Sequence, residues 1–286
     1  MTLGCVSLLV SSLFAAGANS RAIEFVEIPP PCGMTRAVVH GYGCLSLDSR
    51  IKGVIVLAPG ANEDWNPALC DFEWKRFAAL HNMFLVGVSF ASSVRDLKAG
   101  RGYYRPEDGS GNVLLDGLRS FGCEGVPLFL YGFSGGAHFV ANFVRWRPDV
   151  VWGWCAYSAA WWDAPLMQRV SPPGIIACGA DDFRVSASRS FFHDGRERGS
   201  KWLWVEMPRQ CHAPSSALED FFRRYVVALI SERVDPNGIW VNVTTGMFET
   251  DYFSLAYPCA MGWLPDPGLY SDWKKLCGMD DHQTNK

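Results

Sequence analysis

Residues 128–139 read LFLYGFSGGAHF, and this stretch carries the strongest structural signal in the sequence. It contains the pattern G-x-S-x-G over residues 132–136, preceded by an apolar strand-like run and followed by a helix-compatible stretch, residues 137–145. A serine between a buried strand and a helix stands on a sharp turn, which exposes its hydroxyl group at the head of the helix. The pattern therefore predicts that Ser134 is a nucleophile.

The rest of the chain alternates short apolar runs with amphipathic stretches, a pattern typical of a parallel sheet covered by helices. Continuous apolarity, rather than alternation, indicates strands that are buried on both faces. Residues 22–48 precede this series and predict an antiparallel start to the sheet. The predicted buried strands are Gly53–Ala58, Phe84–Phe90, Pro127–Tyr131, Val150–Tyr157, Gly174–Cys178 and Trp202–Met207.

Two helices have recognisable start signals. Asn66-Pro67 is a cap followed by proline at the first helical position, which predicts a helix that runs to about Leu80. The segment 216–219, Ser-Ala-Leu-Glu, matches a capping box and precedes an apolar stripe with helical spacing. This pattern predicts the last long helix, with Ser216 as its N-cap.

A serine nucleophile needs a general base, and the base needs a carboxylate that orients it. Asp181 and Asp182 follow the predicted strand Gly174–Cys178, so both are candidates for the acid. Asp182 is favoured because it fits a G-x-x-D-x-x-V spacing that starts at Gly179. His212 follows the final predicted strand and precedes the last helix, which makes it the predicted base.

Two backbone amides are expected to bind the oxyanion that forms during acyl transfer. Gly135, the residue after the nucleophile, supplies the first amide. The second is expected from the loop after the strand Gly53–Ala58, where Gly60 allows a close backbone turn. Ala61 is the preferred donor in this loop, and Asn62 is the alternative.

On these motifs the chain resembles the α/β-hydrolase superfamily over roughly residues 22–232. The segment YGFSGGAHF, residues 131–139, resembles secreted esterases related to polyhydroxybutyrate depolymerases and feruloyl esterases. The resemblance implies a mostly parallel eight-stranded sheet flanked by helices, ester hydrolysis through an acyl-enzyme, and no cofactor. It also implies Ser134, Asp182 and His212 as a catalytic triad, with Ala61 and Gly135 as the oxyanion donors.

The sequence departs from these relatives in three ways. The oxyanion loop reads Pro-Gly-Ala-Asn, residues 59–62, where many relatives have His-Gly. Cys211 precedes the predicted catalytic histidine but Phe133 precedes Ser134, so the paired cysteines of one tannase and feruloyl esterase group are absent. No long insertion separates the strand Val150–Tyr157 from Asp182, so no large lid domain is expected.

Aromatic side chains are candidates for the substrate-binding wall, because they lie on loops expected at the catalytic edge of the sheet. Such a wall could hold an acyl chain or a phenolic ring, although simple packing explains each residue equally well. The candidates are Trp65, Tyr103, Tyr104, Trp161 and Trp162.

Composition narrows the class of protein. The 286 residues are 49% hydrophobic with a formal net charge of −3, so they carry no basic footprint for nucleic acid. Residues 1–18 resemble a signal peptide, with a small-x-small cleavage site at Ala16-Gly17-Ala18, and no later run is long enough to span a membrane. We therefore expect a secreted or periplasmic protein, the alternative being a cytoplasmic one. Residues 22–232 would form the catalytic domain and residues 235–286 a C-terminal appendage packed on it.

The ten cysteines do not form a metal-binding pattern, so no metal site is expected. Two pairs of cysteines lie in loop-rich segments and are candidates for disulfides. They are Cys32 with Cys44 and Cys259 with Cys277.

The sequence therefore predicts a serine hydrolase that cleaves carboxylic esters, with a small-molecule or polymeric ester as its substrate. Two alternatives remain open. The same triad could serve a serine peptidase or an acyltransferase, or the chain could be a binding protein that has kept the fold without catalysis.

Overall fold

The computed structural model describes residues 9–12, 23–43, 51–65, 72–165, 171–231, 238–249 and 258–279. The chain divides into two compact units, Met1–Val151 and Trp152–Lys286.

The first unit contains six strands in the order β1-β2-β3-β5-β4-β6. The strands β1, β2, β3 and β5 pair antiparallel in that order, and β4 lies parallel between β5 and β6. The strands are β1 (Leu9–Ser12), β2 (Ile23–Glu27), β3 (Arg36–Tyr42), β4 (Gly53–Ala58), β5 (Met83–Ala91) and β6 (Leu128–Phe133). The helices of this unit are α1 (Phe72–Leu80), α2 (Val94–Lys98), α3 (Ser110–Ser120) and α4 (Gly135–Trp146).

The second unit begins with three parallel strands and continues into a small antiparallel sheet. The parallel strands are β7 (Val151–Tyr157), β8 (Gly174–Gly179) and β9 (Trp202–Met207), with helices α5 (Val185–Glu197) and α6 (Ser216–Ile230). The antiparallel strands, in the order β11-β10-β12, are β10 (Ile239–Asn242), β11 (Phe248–Glu249) and β12 (Met261–Leu264), followed by α7 (Tyr270–Leu276).

The predicted α/β architecture, a mostly parallel sheet flanked by helices, is confirmed. Every residue of β4, β5 and β8 is buried, as their continuous apolarity predicted. The strands β2–β9 supply the eight that the resemblance implied, and β1 is an additional strand within the segment that resembles a signal peptide. Residues 158–173 alone connect β7 to β8, so no large lid domain is inserted there.

The C-terminal residues 258–279 pack on α5 and β9 through buried polar contacts. Arg196 of α5 is fully buried, and its Nε donates to the Met261 carbonyl at 2.6 Å. The indole of Trp273, also fully buried, donates to the Trp204 carbonyl at 3.0 Å. These contacts anchor residues 258–279, which have few regular sequence patterns of their own. The predicted boundary between residues 232 and 235 stays a prediction.

Two local predictions are corrected by the structure. The N-cap of α6 is Ser215 rather than Ser216, because the Ser215 hydroxyl accepts from the Leu218 amide. Cys259 and Cys277 are both free thiols, and burial raises the pKa of Cys277 to about 12. Cys32 is also a free thiol, whereas its proposed partner Cys44 lies outside the described residues.

Residues 66–71 also lie outside the described part, so the predicted start of α1 at Asn66-Pro67 stays a prediction.

Candidate active site

Ser134 stands at the sharp turn between β6 and α4. Its backbone has φ 52° and ψ −112°, a combination that side-chain-bearing residues rarely adopt. Ser134 is the N-cap residue of α4, yet its side chain forms no capping hydrogen bond to the helix. Such a conformation costs about 1–3 kcal/mol and persists only where the surrounding structure enforces it. The Ser134 hydroxyl is therefore not used to cap α4.

Two glycines make this turn possible through close backbone approach. A β-carbon on Gly132 would lie 2.3 Å from the Gly136 carbonyl oxygen, and one on Gly136 would lie 2.0 Å from the Ala58 carbonyl oxygen. Neither space can be opened by rotating a side chain, because the obstructing atoms belong to the backbone. The two outer glycines of G-x-S-x-G are thus required sterically, which distinguishes this turn from a chance match to the pattern.

Gly135 and Ala61, the predicted oxyanion donors, lie side by side in the first unit. A β-carbon on Gly135 would be 2.7 Å from the Ala61 nitrogen and 2.6 Å from the Ala61 Cα atom. Gly135 is the first residue of α4, where the backbone amides have no partner within the helix. The end of β4 and the start of α4 therefore bring the two predicted donors together.

The loop that carries Ala61 is held rigidly. The Asn62 side chain exchanges two hydrogen bonds of 3.0 Å with the backbone of Ser92, and the Gly60 amide donates to the Glu63 carboxylate at 3.1 Å. Asn62 itself adopts a left-handed φ of 62°, and its carbonyl accepts from Arg36 at 2.9 Å. An oxyanion site needs donors that do not reorganise during the reaction, and this network supplies that rigidity.

The first unit contains three of the aromatic residues predicted to contact substrate, and they differ in how deeply they are buried. The ring of Trp65 lies on Gly87 of β5, where a β-carbon would come within 1.6 Å of it, and Trp65 is half-buried. Tyr103 and Tyr104 are both buried, in a 3-10 turn that spans Gly102–Tyr104. The ring of Tyr104 packs against His138 at 4.6 Å. Most of the surface of these three side chains is therefore buried against the rest of the protein.

In the second unit, His212 and Asp182 are in contact. The His212 Nδ1 atom lies 2.8 Å from the Asp182 Oδ2 atom, and the Asp182 side chain is fully buried. A carboxylate only accepts hydrogen bonds, so Nδ1 carries the proton and Nε2 is the unprotonated ring nitrogen. This tautomer is the one that a general base requires. Asp181 is exposed, and its amide donates to the Gln210 carbonyl, so it is Asp182 that contacts His212.

Arg184 holds the other oxygen of the same carboxylate. Its guanidinium lies 2.9 Å from Asp182 Oδ1, and its backbone amide donates to the same oxygen at 3.1 Å. Burial by itself would raise the pKa of Asp182, but hydrogen bonds from Arg184, His212 and Ser158 outweigh it and lower that pKa. Asp182 is therefore held as a carboxylate.

The loop that carries His212 is anchored by Tyr157 at the end of β7. The Tyr157 hydroxyl donates to the Ala213 carbonyl at 2.7 Å, and the Gln210 side chain donates to the same oxygen at 3.3 Å. These bonds fix the backbone on the C-terminal side of His212.

No sequence pattern singled out three residues that support the Asp182–His212 pair: Arg184, Ser158 and Tyr157. Arg184 could have been predicted as a partner of Asp182, because it follows Asp182 by two residues. Nothing local marks Tyr157, because its partner Ala213 lies far along the chain.

Trp161 and Trp162, the predicted aromatic contacts of the second unit, are half-buried. Trp162 stacks on Phe191 of α5 at 4.5 Å, and its indole donates to Ser188. The candidate site residues thus form two groups. The group in the first unit consists of Ser134, Gly135, Ala61 and Tyr103. The group in the second unit consists of Asp182 and His212.

Among the described residues, no group of three or more His, Cys, Asp or Glu side chains could hold a metal ion. None of the helices in the described ranges is long and apolar enough to cross a membrane.

The sequence matches no protein-family model and no curated protein. Solved structures match the fold at low sequence identity. The poly(3-hydroxybutyrate) depolymerase of Bordetella parapertussis has a TM-score of 0.50 and 15% identity, over 73% of this chain and 88% of its own. The S-formylglutathione hydrolase of Staphylococcus aureus has a TM-score of 0.54 and 13% identity, over 74% of this chain and 100% of its own.

Dipeptidyl peptidase 4 of Porphyromonas gingivalis has a TM-score of 0.55 and 11% identity, over 74% of this chain and 35% of its own. The protein therefore has the α/β-hydrolase fold.

Proposed function

We propose that the protein is a serine hydrolase that cleaves carboxylic esters through an acyl-enzyme intermediate. The observation that carries the proposal is the strained backbone of Ser134 at the N-terminus of α4, enforced by Gly132 and Gly136. Strained backbone of this kind costs about 1–3 kcal/mol and is concentrated at active sites, where it is part of the mechanism. The Asp182–His212 pair, with the tautomer of a general base, supports the same conclusion from the second unit.

In the proposed reaction the Ser134 oxygen attacks the ester carbonyl carbon while His212 Nε2 takes the hydroxyl proton. The carbonyl π electrons move onto oxygen, and the amides of Ala61 and Gly135 bind the resulting oxyanion. Collapse of the tetrahedral intermediate breaks the bond to the alcohol, which leaves with the proton from His212. Water, deprotonated by the same nitrogen, then attacks the acyl carbon. The bond to Ser134 breaks, the serine oxygen takes the proton back from His212, and the carboxylic acid leaves. Asp182 stabilises the imidazolium throughout.

The substrate class is proposed from the neighbours and from the absence of a large inserted lid. One neighbour is named as a poly(3-hydroxybutyrate) depolymerase and another as an S-formylglutathione hydrolase, whose substrates are an ester polymer and a thioester. We propose a small-molecule or polymeric ester here, contacted by the partly exposed rings of Trp65, Trp161 and Trp162.

The test uses p-nitrophenyl esters from acetyl to long acyl chains, with wild type, Ser134→Ala and Ser190→Ala. Ser190 is an exposed serine on α5 and serves as the matched control. We expect turnover that disappears in Ser134→Ala and persists in Ser190→Ala, together with fluorophosphonate labelling at Ser134. The absence of both turnover and labelling in wild type would refute the proposal and favour the binding-protein alternative. Hydrolysis of peptide anilides but not of esters would favour a peptidase.

We also propose that residues 1–18 direct secretion and are removed after Ala18. Cleavage there would remove β1 and leave β2 as the edge strand of its sheet. The intact mass of protein recovered from the periplasm or medium of an expression host tests this. Recovery of the full-length chain from the cytoplasm alone would favour the cytoplasmic alternative.

A further inference from the structure

We propose that the Tyr103 hydroxyl is a third hydrogen-bond donor of the oxyanion hole, alongside the amides of Ala61 and Gly135. This inference rests on the proposed function, because it assigns a residue to the same reaction. It is carried by the position of one buried phenol in the first unit.

The Tyr103 hydroxyl is buried without a hydrogen-bond partner. The residue is 3% exposed, and its oxygen is a buried polar atom that bonds to none of the described residues. The Asn62 amide and the Tyr104 hydroxyl lie close enough to influence its pKa, but neither meets hydrogen-bond geometry. A buried hydroxyl without a partner is costly, so its presence calls for an explanation outside the stability of the fold.

The same hydroxyl lies at the predicted oxyanion site. A β-carbon on Gly135 would be 2.6 Å from the Tyr103 oxygen and 2.7 Å from the Ala61 nitrogen, so all three groups border one small space. The Ala61 and Gly135 backbones contribute amide donors there. What such a site lacks is an acceptor, and a negatively charged oxygen on a carbon bonded to Ser134 would provide one.

The Tyr103 backbone is anchored on both sides, and its ring packs against Phe90. The Tyr103 amide donates to the Ser92 hydroxyl at 3.0 Å, and its carbonyl accepts from the Ser110 hydroxyl at 2.9 Å. Phe90 meets the ring edge-on at 6.2 Å. Ser92 also exchanges backbone bonds with Asn62, so the tyrosine and the Ala61 loop are fixed by one network.

The protonation state suits a donor. Burial raises the pKa of the Tyr103 phenol far above neutral pH, so the hydroxyl keeps its proton at working pH. Because the phenol remains neutral, it adds no negative charge that would repel the oxyanion. Its contribution appears only when negative charge develops on the substrate oxygen, which lowers the barrier without tightening substrate binding.

The test is Tyr103→Phe, with Tyr225→Phe as the matched control. Tyr225 lies on α6 in the second unit, is fully buried, and also has a hydroxyl without a hydrogen-bond partner. Both substitutions remove only an unsatisfied buried hydroxyl, so neither should lower Tm. We expect Tyr103→Phe to lower kcat on p-nitrophenyl esters by about 100-fold with KM within about threefold, and Tyr225→Phe to leave kcat unchanged.

The rate of fluorophosphonate labelling gives a second measure, because the phosphoryl oxygen occupies the same site. It should fall at least about tenfold in Tyr103→Phe. A kcat and labelling rate within twofold of wild type would overturn the inference while leaving the serine hydrolase intact. A lower Tm together with a higher KM would also overturn it, since that would indicate a packing role. Wild type that neither turns over esters nor labels would instead remove the proposed function on which the inference rests.

Discussion

Gly132→Ala tests whether close backbone contact imposes the strained conformation of Ser134 at the turn between β6 and α4. The added methyl group would lie 2.3 Å from the Gly136 carbonyl oxygen, whereas ordinary contacts begin at 3.4 Å. The backbone must therefore open by 3.4 − 2.3 = 1.1 Å, between the end of β6 and the first turn of α4. Ser134 lies between these two points, so it must move by a similar amount.

The expected magnitude follows from this displacement. Forcing a methyl group into a closed space costs about 1–3 kcal/mol, which corresponds to a fall in Tm of roughly 2–12 °C for a chain of this size. A misplacement of about 1 Å at the nucleophile costs about 100-fold in rate. We therefore expect Gly132→Ala to remain folded at room temperature while losing at least about 100-fold in kcat.

Gly125→Ala provides the control. Gly125 has a left-handed φ of 74° with no atom within 4 Å of its β-carbon position, so alanine there is strained without any clash. We expect a fall in Tm of a few degrees with unchanged kcat.

Differential scanning fluorimetry and ester hydrolysis on the same preparations measure both effects. If Gly132→Ala kept wild-type kcat and Tm, the close approach of Gly132 and Gly136 would not be what holds Ser134 in its strained conformation.

Three further predictions concern the second unit. Asp182→Asn should reduce kcat by about 10³–10⁴-fold, because the amide favours the wrong His212 tautomer. The folded-state pKa of Asp182 is lowered, so its contribution to stability is present above the ordinary carboxyl pKa near 4 and is lost as pH falls through the folded value. Thermal melts should accordingly show Asp182→Asn less stable than wild type at neutral pH and similar to it in strong acid, and an equal difference at both would contradict the assignment. Arg184→Met should destabilise the protein at neutral pH by about 1.5–3 kcal/mol and shift its acid unfolding to higher pH, as judged by urea titrations across the acid range. Tyr157→Phe should cost about 1 kcal/mol and lower kcat/KM, because the bond to Ala213 that steadies the His212 loop is lost; unchanged kcat/KM would show that the Gln210 contact suffices.

Much of the fold and the identity of the candidate residues were accessible from the sequence. The strands β4 and β9 begin and end where the apolar runs predicted, because strands buried on both faces leave a continuous apolar signature. The pattern G-x-S-x-G, placed between a strand and a helix, was enough to single out Ser134. Each of these signals is local, since it depends on a residue and its near neighbours in the chain.

The tertiary structure decided two kinds of feature. The first is contact between segments that are distant in sequence, and the second is which of two adjacent residues makes a given contact. The contact of Asp182 rather than Asp181 with His212 depends on how β8 ends beside the His212 loop. The G-x-x-D-x-x-V spacing favoured Asp182, but a local pattern does not show which carboxylate meets the histidine. The approach of the Tyr103 hydroxyl to Gly135 depends on packing between the 3-10 turn and the start of α4.

The helix α6 shows the same limit on a smaller scale. Both Ser215 and Ser216 are acceptable capping residues, and only the backbone conformation determines that Ser215 caps. Sequence periodicity reports which face of an element is buried, but not which atom of another element it meets. The chemistry of the candidate site depends on contacts between atoms of different elements, so only the tertiary structure could show it.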